Sequence, residues 1–244
     1  MTEAIVYHCK DGLARITLNR PEARNALNST MCEALVAATR RAREDGARCV
    51  LVQAIGSVFC AGADLKERQG MGDDAVRARR LKACAAYDAL ERLPMPAIAV
   101  VEGPAVGSGV EIAAACDFII ATPAASFRTP EALWGTVGAT QRLPRIIGKR
   151  LAKDLMFTGR ALGAEEAREA GLVARVVLPE ALGACVAEIT AAILKAPPAA
   201  MALAKRCVDE GLERDPRGAL ATEILAIEES LAVAEWRKKM QDFG

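Results

Sequence analysis

The chain has 244 residues, 52% hydrophobic and 26% charged, enough to bury a large core as one domain with a smaller appendage. Lys and Arg number 32 against 31 Asp and Glu, so a net charge of +1 gives no overall field to attract nucleic acid or an anionic membrane, and an anionic ligand must be met locally. The single histidine, His8, lies in an early strand-like segment, which argues against Ser-His-Asp, Cys-His and histidine-rich metal chemistry and leaves proton transfer to carboxylates.

In chain order, IVYHCKDGLARITLNRP reads as two strands around an Asp11-Gly12 hairpin turn. A helix follows from about Ser29 to Glu44, with Thr30 and Glu33 at capping-box spacing and Met31, Leu35, Ala38 and Ala42 along one face. CVLVQAIG (49–56) is a buried-strand run leading into the loop SVFCAGADLKE. Residues 73–92 are helical in pattern, and their basic run Arg77, Arg79, Arg80, Lys82 reads as a charged helix face. PAIAVVEG (96–103) is another buried strand, and FIIATPAASF (118–127) supplies more. From Glu180 onward helices are expected near 180–195, 198–213 and 218–240, punctuated by Pro197, Pro198 and Pro216. Alternating β and α segments through the first ~180 residues argue for an α/β core of stacked βαβ units. The division expected is a core over 1–180 and a helical oligomerisation region over 181–244. The eight cysteines show no C-x-x-C and no metal spacing, and read as reduced core residues of a cytosolic protein. MTEAIVYHCKDG has no leader pattern and no uncharged apolar run reaches the ~20 residues of a membrane span, so a cytoplasmic location is expected.

The stretch GPAVGSGVEIAAACD (103–117) carries the chemistry. A strand ending at Gly103 feeds a glycine turn, and a helix begins near Ser108, whose first backbone N–H groups have no intrahelical partner and can bind an oxyanion. Gly107 and Gly109 allow close approach of a substrate to the backbone, and Glu111 sits one turn inside. Dinucleotide binding is the rival explanation, but Ile112 occupies the position where that fingerprint requires Gly or Ala. A second glycine loop, FCAGADLKE (59–67), also follows a buried strand and presents an N–H around Ala63. With a second isolated acid, Glu131 in RTPEALWG, these features give two donors for a developing negative charge and two carboxylates to move protons.

These segments resemble the crotonase (enoyl-CoA hydratase/isomerase) superfamily. ITLNRPEARNALN, FCAGADLKE, AVVEGPAVGSGVEIAAACD, RTPEALWG, TQRLPRIIG and FTGRALGAEEAREAGLVARVV look like its motifs, in its order, over nearly the whole chain. The resemblance implies an α/β spiral of stacked ββα turns, a C-terminal helical trimerisation region and an acyl-CoA thioester substrate. It implies oxyanion donors at the backbone N–H of Ala63 and Ser108, and catalytic acids at Glu111 and Glu131. It points to CoA contacts around Ala23, Arg24 and Ala26, and at Ala63, Asp64, Leu65, Lys66 and Ser108. No metal is implied, and no cofactor beyond the coenzyme A that enters with the substrate. The implied partners are copies of the chain, in a trimer or a dimer of trimers, with no nucleic acid and no membrane.

Two departures from the family pattern stand out. GTVGATQRL, after Glu131, is about three residues shorter than the glycine loop of many hydratases, and AEWRKKMQDFG lacks the usual E-G-x-x-A-F stretch. Dehalogenases and dienoyl isomerases place an aspartate in that loop, where this chain has Gly138, Ala139 and Thr140. The expected activity is hydration of an enoyl-CoA. The alternatives are a Δ3,Δ2-enoyl-CoA isomerase using Glu131 alone and, from another class, a silent trimeric scaffold or RNA-binding relative.

Overall fold

Asp11 and Gly12 both adopt positive φ, 52° and 81°, which is the pair that a tight hairpin turn requires. They fold β1 (Ile5–Lys10) back on β2 (Leu13–Leu18), with Ile5 opposite Leu18 and Lys10 opposite Leu13. In the computed structural model, which describes residues 3–233 and 236–237, the chain then continues through α1 (Ser29–Glu44), β3 (Cys49–Ala54), α2 (Leu65–Arg68) and α3 (Asp73–Glu91). Next come β4 (Ala97–Val101), β5 (Pro104–Val106), α4 (Ser108–Ala114), β6 (Phe118–Ala121), β7 (Ser126–Arg128), α5 (Arg142–Ile147) and α6 (Lys149–Thr158). Finally β8 (Leu162–Gly163), α7 (Ala164–Glu169) and β9 (Arg175–Val176) lead to α8 (Pro179–Lys195), α9 (Pro198–Gly211) and α10 (Pro216–Val233). The helix expected at 218–240 begins two residues earlier, at Pro216, and the end of that range lies outside the described residues.

Two sheets organise the strands. The larger has the order β1-β2-β3-β4-β6-β9, parallel except for the hairpin, and the smaller has the order β5-β7-β8. The parallel strands β3 and β4 are apolar on both faces because both faces are covered. Val50, Val52, Ala97 and Ala99 join the core beneath α1 and α3, while Cys49, Leu51, Ile98 and Val100 meet Leu182, Val186, Ile189 and Ile193 of α8. On α1 the face formed by Met31, Leu35, Ala38 and Ala42 is buried as the spacing predicts. Its cap is different: Asn28, not Thr30, accepts from the Met31 N–H at 2.9 Å, and Glu67 accepts from the Ser29 N–H at 2.8 Å. A preceding Asn in extended backbone reaches the third N–H of the helix, and Thr30, two residues later, already lies inside the first turn and cannot serve as the cap.

The chain repeats one path. A strand of the large sheet (β3, β4, β6) runs into an extended segment of the small layer, and that segment runs into a helical turn. The small-layer segments are Cys60, bridged to Ala105, then β5, then β7. Directly after them stand Ala63, Ser108 and Glu131, so each circuit delivers one candidate group to the same side of the molecule. Asn25, fully buried at φ 52°, pins the first circuit. Its side chain accepts from Arg20 N–H at 2.8 Å and donates to the carbonyls of Ile55 and Val58 at 2.9 and 2.8 Å. Asn25→Ala strips both carbonyls of their donor and should cost about 2 kcal/mol or more of stability, read as a lower urea midpoint with an unchanged denaturant slope.

Candidate active site

A cavity of about 690 Å³ opens between the loop 61–65, α3, the start of α4 and the segment from Arg128 to Arg142. That volume suits a small-molecule site. Arg24, Ala63, Leu65, Ser108, Glu111 and Glu131 line it, so the expected donors and both expected acids converge. Ala23, Ala26, Asp64 and Lys66 are not among the lining residues. Ala23 and Ala26 belong to the turn that carries Arg24, with Ala26 N–H bonded to the Ala23 carbonyl at 3.0 Å. Asp64 caps α2, accepting from Lys66 N–H at 3.1 Å and Glu67 N–H at 3.3 Å, and pairs with Arg20 at 3.1 Å. Its carboxylate is therefore occupied in holding the loop, and Lys66 sits exposed beside it.

The backbone explains how two N–H groups stay available. Leu27 donates to the Gly62 carbonyl at 2.8 Å and accepts from Asp64 N–H at 2.9 Å, the pattern of a parallel bridge, which turns the N–H of the intervening Ala63, a residue that lines the cavity, away from Leu27. Ser108 is the first residue of α4, so its N–H has no intrahelical acceptor. Gly107 sets up that start at φ 51°, and a Cβ there would also stand 2.6 Å from Glu131 Oε1. Gly109 is required for another reason: a Cβ would meet the Cys60 carbonyl oxygen at 2.4 Å. The turn bearing Ser108 and the loop bearing Ala63 can touch only because that carbon is missing.

The two acids occupy unlike environments. Glu111 Oε2 accepts from Arg142 Nη1 at 2.9 Å, and the other arm of Arg142 holds Glu91. Glu131, at the head of a short 3-10 turn, rests against Gly107 and Gly138, and its Oε2 is buried with no hydrogen-bond partner among the described residues. Burial raises its pKa above the ordinary carboxylate value; its own backbone N–H and Arg80 oppose the shift, and the charge of Glu111 adds to it. The loop after Glu131 is closed by Thr136 N–H on the Glu131 carbonyl at 2.9 Å and by Arg80, which donates to Thr136 Oγ1 at 3.0 Å and to the Val137 carbonyl.

Arg142, Tyr87, Cys84 and Arg80 also line the cavity and were not assigned a place in the site from sequence. Arg142 appears in it only as part of a motif, and the contact with Glu111 requires α5 to fold against α4. Tyr87 is buried beside the Ser108 side chain, and burial pushes its phenol up so that it stays protonated. It stands seven residues after Arg80 with Cys84 between them at the fourth, a cavity-facing stripe that helical spacing makes legible. The reading of 77–82 as a charged face holds for Arg77 and Lys82, which pair with Asp74 and Glu33. It fails for Arg79, which is 4% exposed and joins α3 to Glu67 at 2.8 Å and to the Leu27 carbonyl. The cysteines divide as well: Cys32, Cys49, Cys60 and Cys116 are buried, whereas Cys84 is exposed on the cavity wall.

The sequence profile of the family described as enoyl-CoA hydratase/isomerase matches residues 8–244. The chain belongs to that family. YngF of Bacillus subtilis, whose name gives hydratase/isomerase without choosing, is 40% identical across 100% of this chain and 96% of its own length. A crotonyl-CoA hydratase of Syntrophomonas wolfei is 35% identical across 99% and 95%. The crystal structure of an enoyl-CoA hydratase from Bacillus anthracis superposes with a TM-score of 0.93 at 35% identity, covering 98% of this chain and 95% of that one. This enoyl-CoA hydratase/isomerase family member thus has the α/β crotonase fold that its motifs imply.

Substitutions at Ser108 distinguish a main-chain donor at the start of α4 from a role of the hydroxyl. Proline suits the first helical position and deletes the N–H, whereas alanine keeps it. Ser108→Ala should retain activity within about threefold, and Ser108→Pro, folded like the parent, should lose about 10²-fold or more in kcat; an inactive alanine variant beside an active proline variant would reassign the role to the hydroxyl.

Proposed function

We propose that the chain hydrates the 2,3 double bond of an enoyl-CoA thioester. The observation that carries this reading is the meeting of two carboxylates in unlike surroundings on one cavity. Glu111 accepts a hydrogen bond from the Arg142 guanidinium, while burial favours the protonated form of Glu131. In the reaction, the N–H groups of Ala63 and Ser108 polarise the thioester carbonyl. Water, deprotonated by Glu111, adds its oxygen to C3, and the electron pair of the double bond moves to the carbonyl oxygen as an enolate. Glu131 then delivers its proton to C2. Exchange with solvent returns the proton from Glu111 to Glu131, so the net change is addition of one water.

Arg24 and the backbone of Ala23, Ala26, Asp64, Leu65 and Lys66 are proposed to hold the CoA portion, in keeping with the position of Arg24, Ala63 and Leu65 at the cavity. A one-acid reading has one observation in its favour. With Glu111 tied to Arg142, Glu131 is the acid free to carry a proton between C2 and C4, as in a Δ3,Δ2-enoyl-CoA isomerase.

The two readings part on one pair of variants. Hydration predicts that Glu111→Gln and Glu131→Gln each lower the rate at which the conjugated double bond disappears by about 10²-fold or more. A nearly silent Glu111→Gln beside an inactive Glu131→Gln would replace hydratase by isomerase.

We also propose that the chain assembles as a homotrimer, alone or paired into a hexamer. Leu212, Leu220, Ile224, Leu225, Ile227 and Leu231 of the last two helices and their connection are exposed in the single chain, more apolar surface than a monomer ordinarily leaves uncovered. Sedimentation equilibrium at micromolar concentration should give three or six chains, and a monomer alone would sink the assembly.

A further inference from the structure

Arg142 stands where two cavities meet. On one side it lines the site cavity, and on the other it borders a second one of about 330 Å³, with Glu91, Arg145 and Glu213 on its walls. Its guanidinium is held from three directions. Nη1 bonds Glu111 Oε2 of α4 at 2.9 Å, Nη2 bonds Glu91 Oε2 at the end of α3, and the group lies 5.9 Å from the centre of the Tyr87 ring. Burial works against its charge, but the carboxylates of Glu91 and Glu111 outweigh burial and leave its pKa raised. The Glu111 side chain is 12% exposed, whereas that of Glu91 is 46% exposed. The strut therefore runs from the site out to solvent.

We infer that Arg142 is a positioning residue that fixes the carboxylate of Glu111, taking Oε2 so that Oε1 is presented to the water or substrate, with Glu91 as its outer anchor. The inference rests on the proposed role of Glu111. The final torsion of a glutamate is broad and nearly two-fold, so an unrestrained carboxylate on α4 would present either oxygen over a wide arc. A guanidinium whose own orientation is fixed by a second carboxylate and a ring removes that freedom before substrate arrives. The competing explanation is a staple that merely joins α3, α4 and α5.

A double-mutant cycle separates the two, run on whichever reaction the parent catalyses, hydration or double-bond migration. Positioning predicts that Arg142→Met lowers kcat about 10- to 100-fold with KM nearly unchanged, and that Arg142→Lys recovers part of the loss. Glu91→Gln, outside the site cavity, should lower kcat in the same sense by less. In a Glu111→Ala background Arg142→Met should add less than about a threefold loss, because no carboxylate remains to be oriented. Losses that multiply independently of Glu111, a rise confined to KM, or faster turnover without Arg142 would each overturn the inference. If Arg142→Met does not fold, the same cycle between Glu91→Gln and Glu111→Ala decides it by the same criterion. A parent that only isomerises removes the hydratase reading, while the cycle still reports whether Arg142 and Glu111 act together.

Discussion

The site depends on a contact between two stretches of main chain. The Cys60 carbonyl lies so close to the Cα of residue 109 that a Cβ would fall 2.4 Å from its oxygen, and from that contact follows the approach of the 59–64 loop to the first turn of α4. Hydrogen bonds of Cys60 with Pro104 and Val106 and of Leu27 with Gly62 and Asp64 hold the loop in register on either side. The proposed donors at Ala63 and Ser108 are the remainder of this stitching: peptide groups whose neighbours are engaged in hydrogen bonds. A pair of donors made this way is rigid before a ligand arrives, because moving either would break ladder bonds.

Charge is distributed over the cavity with similar economy. The two acids belong to successive circuits of the spiral and share one space, yet one faces a guanidinium and the other is buried against Gly107 and Gly138. Two carboxylates in like surroundings would compete for one proton with no preference between them; unlike surroundings break that tie. Arg80 belongs to the same scheme, since the loop after Glu131 is short and its Thr136 and Val137 are held from α3.

Much of this was legible in the residues. Periodicity located α1 with its buried face, the apolar runs of β3 and β4, and the hairpin at Asp11-Gly12, because each is decided by local spacing and turn chemistry. The glycines of 103–109 and 59–64 pointed to Ala63 and Ser108, and isolated acids pointed to Glu111 and Glu131. What escaped was decided by tertiary contact. Thr30 has the spacing of a cap, but Asn28 arrives first; Arg79 looks like its solvated neighbours, but Glu67 and the Leu27 carbonyl draw it inward. Arg142 is 31 residues from Glu111, and no pattern in a single chain relates them. The small strands β5 and β8, three and two residues long, lie below what alternation can resolve.

Because the proposed oxyanion donors are peptide groups, the side chains at 63 and 108 are the parts of those residues that chemistry leaves free. Any substitution there except proline leaves the donor itself in place, whereas adding a single methyl group at 109 pries apart two segments distant in sequence. The vulnerability of such a site is thus written in its voids rather than in its reactive groups, and a catalogue of polar side chains would pass over the atom whose absence matters most.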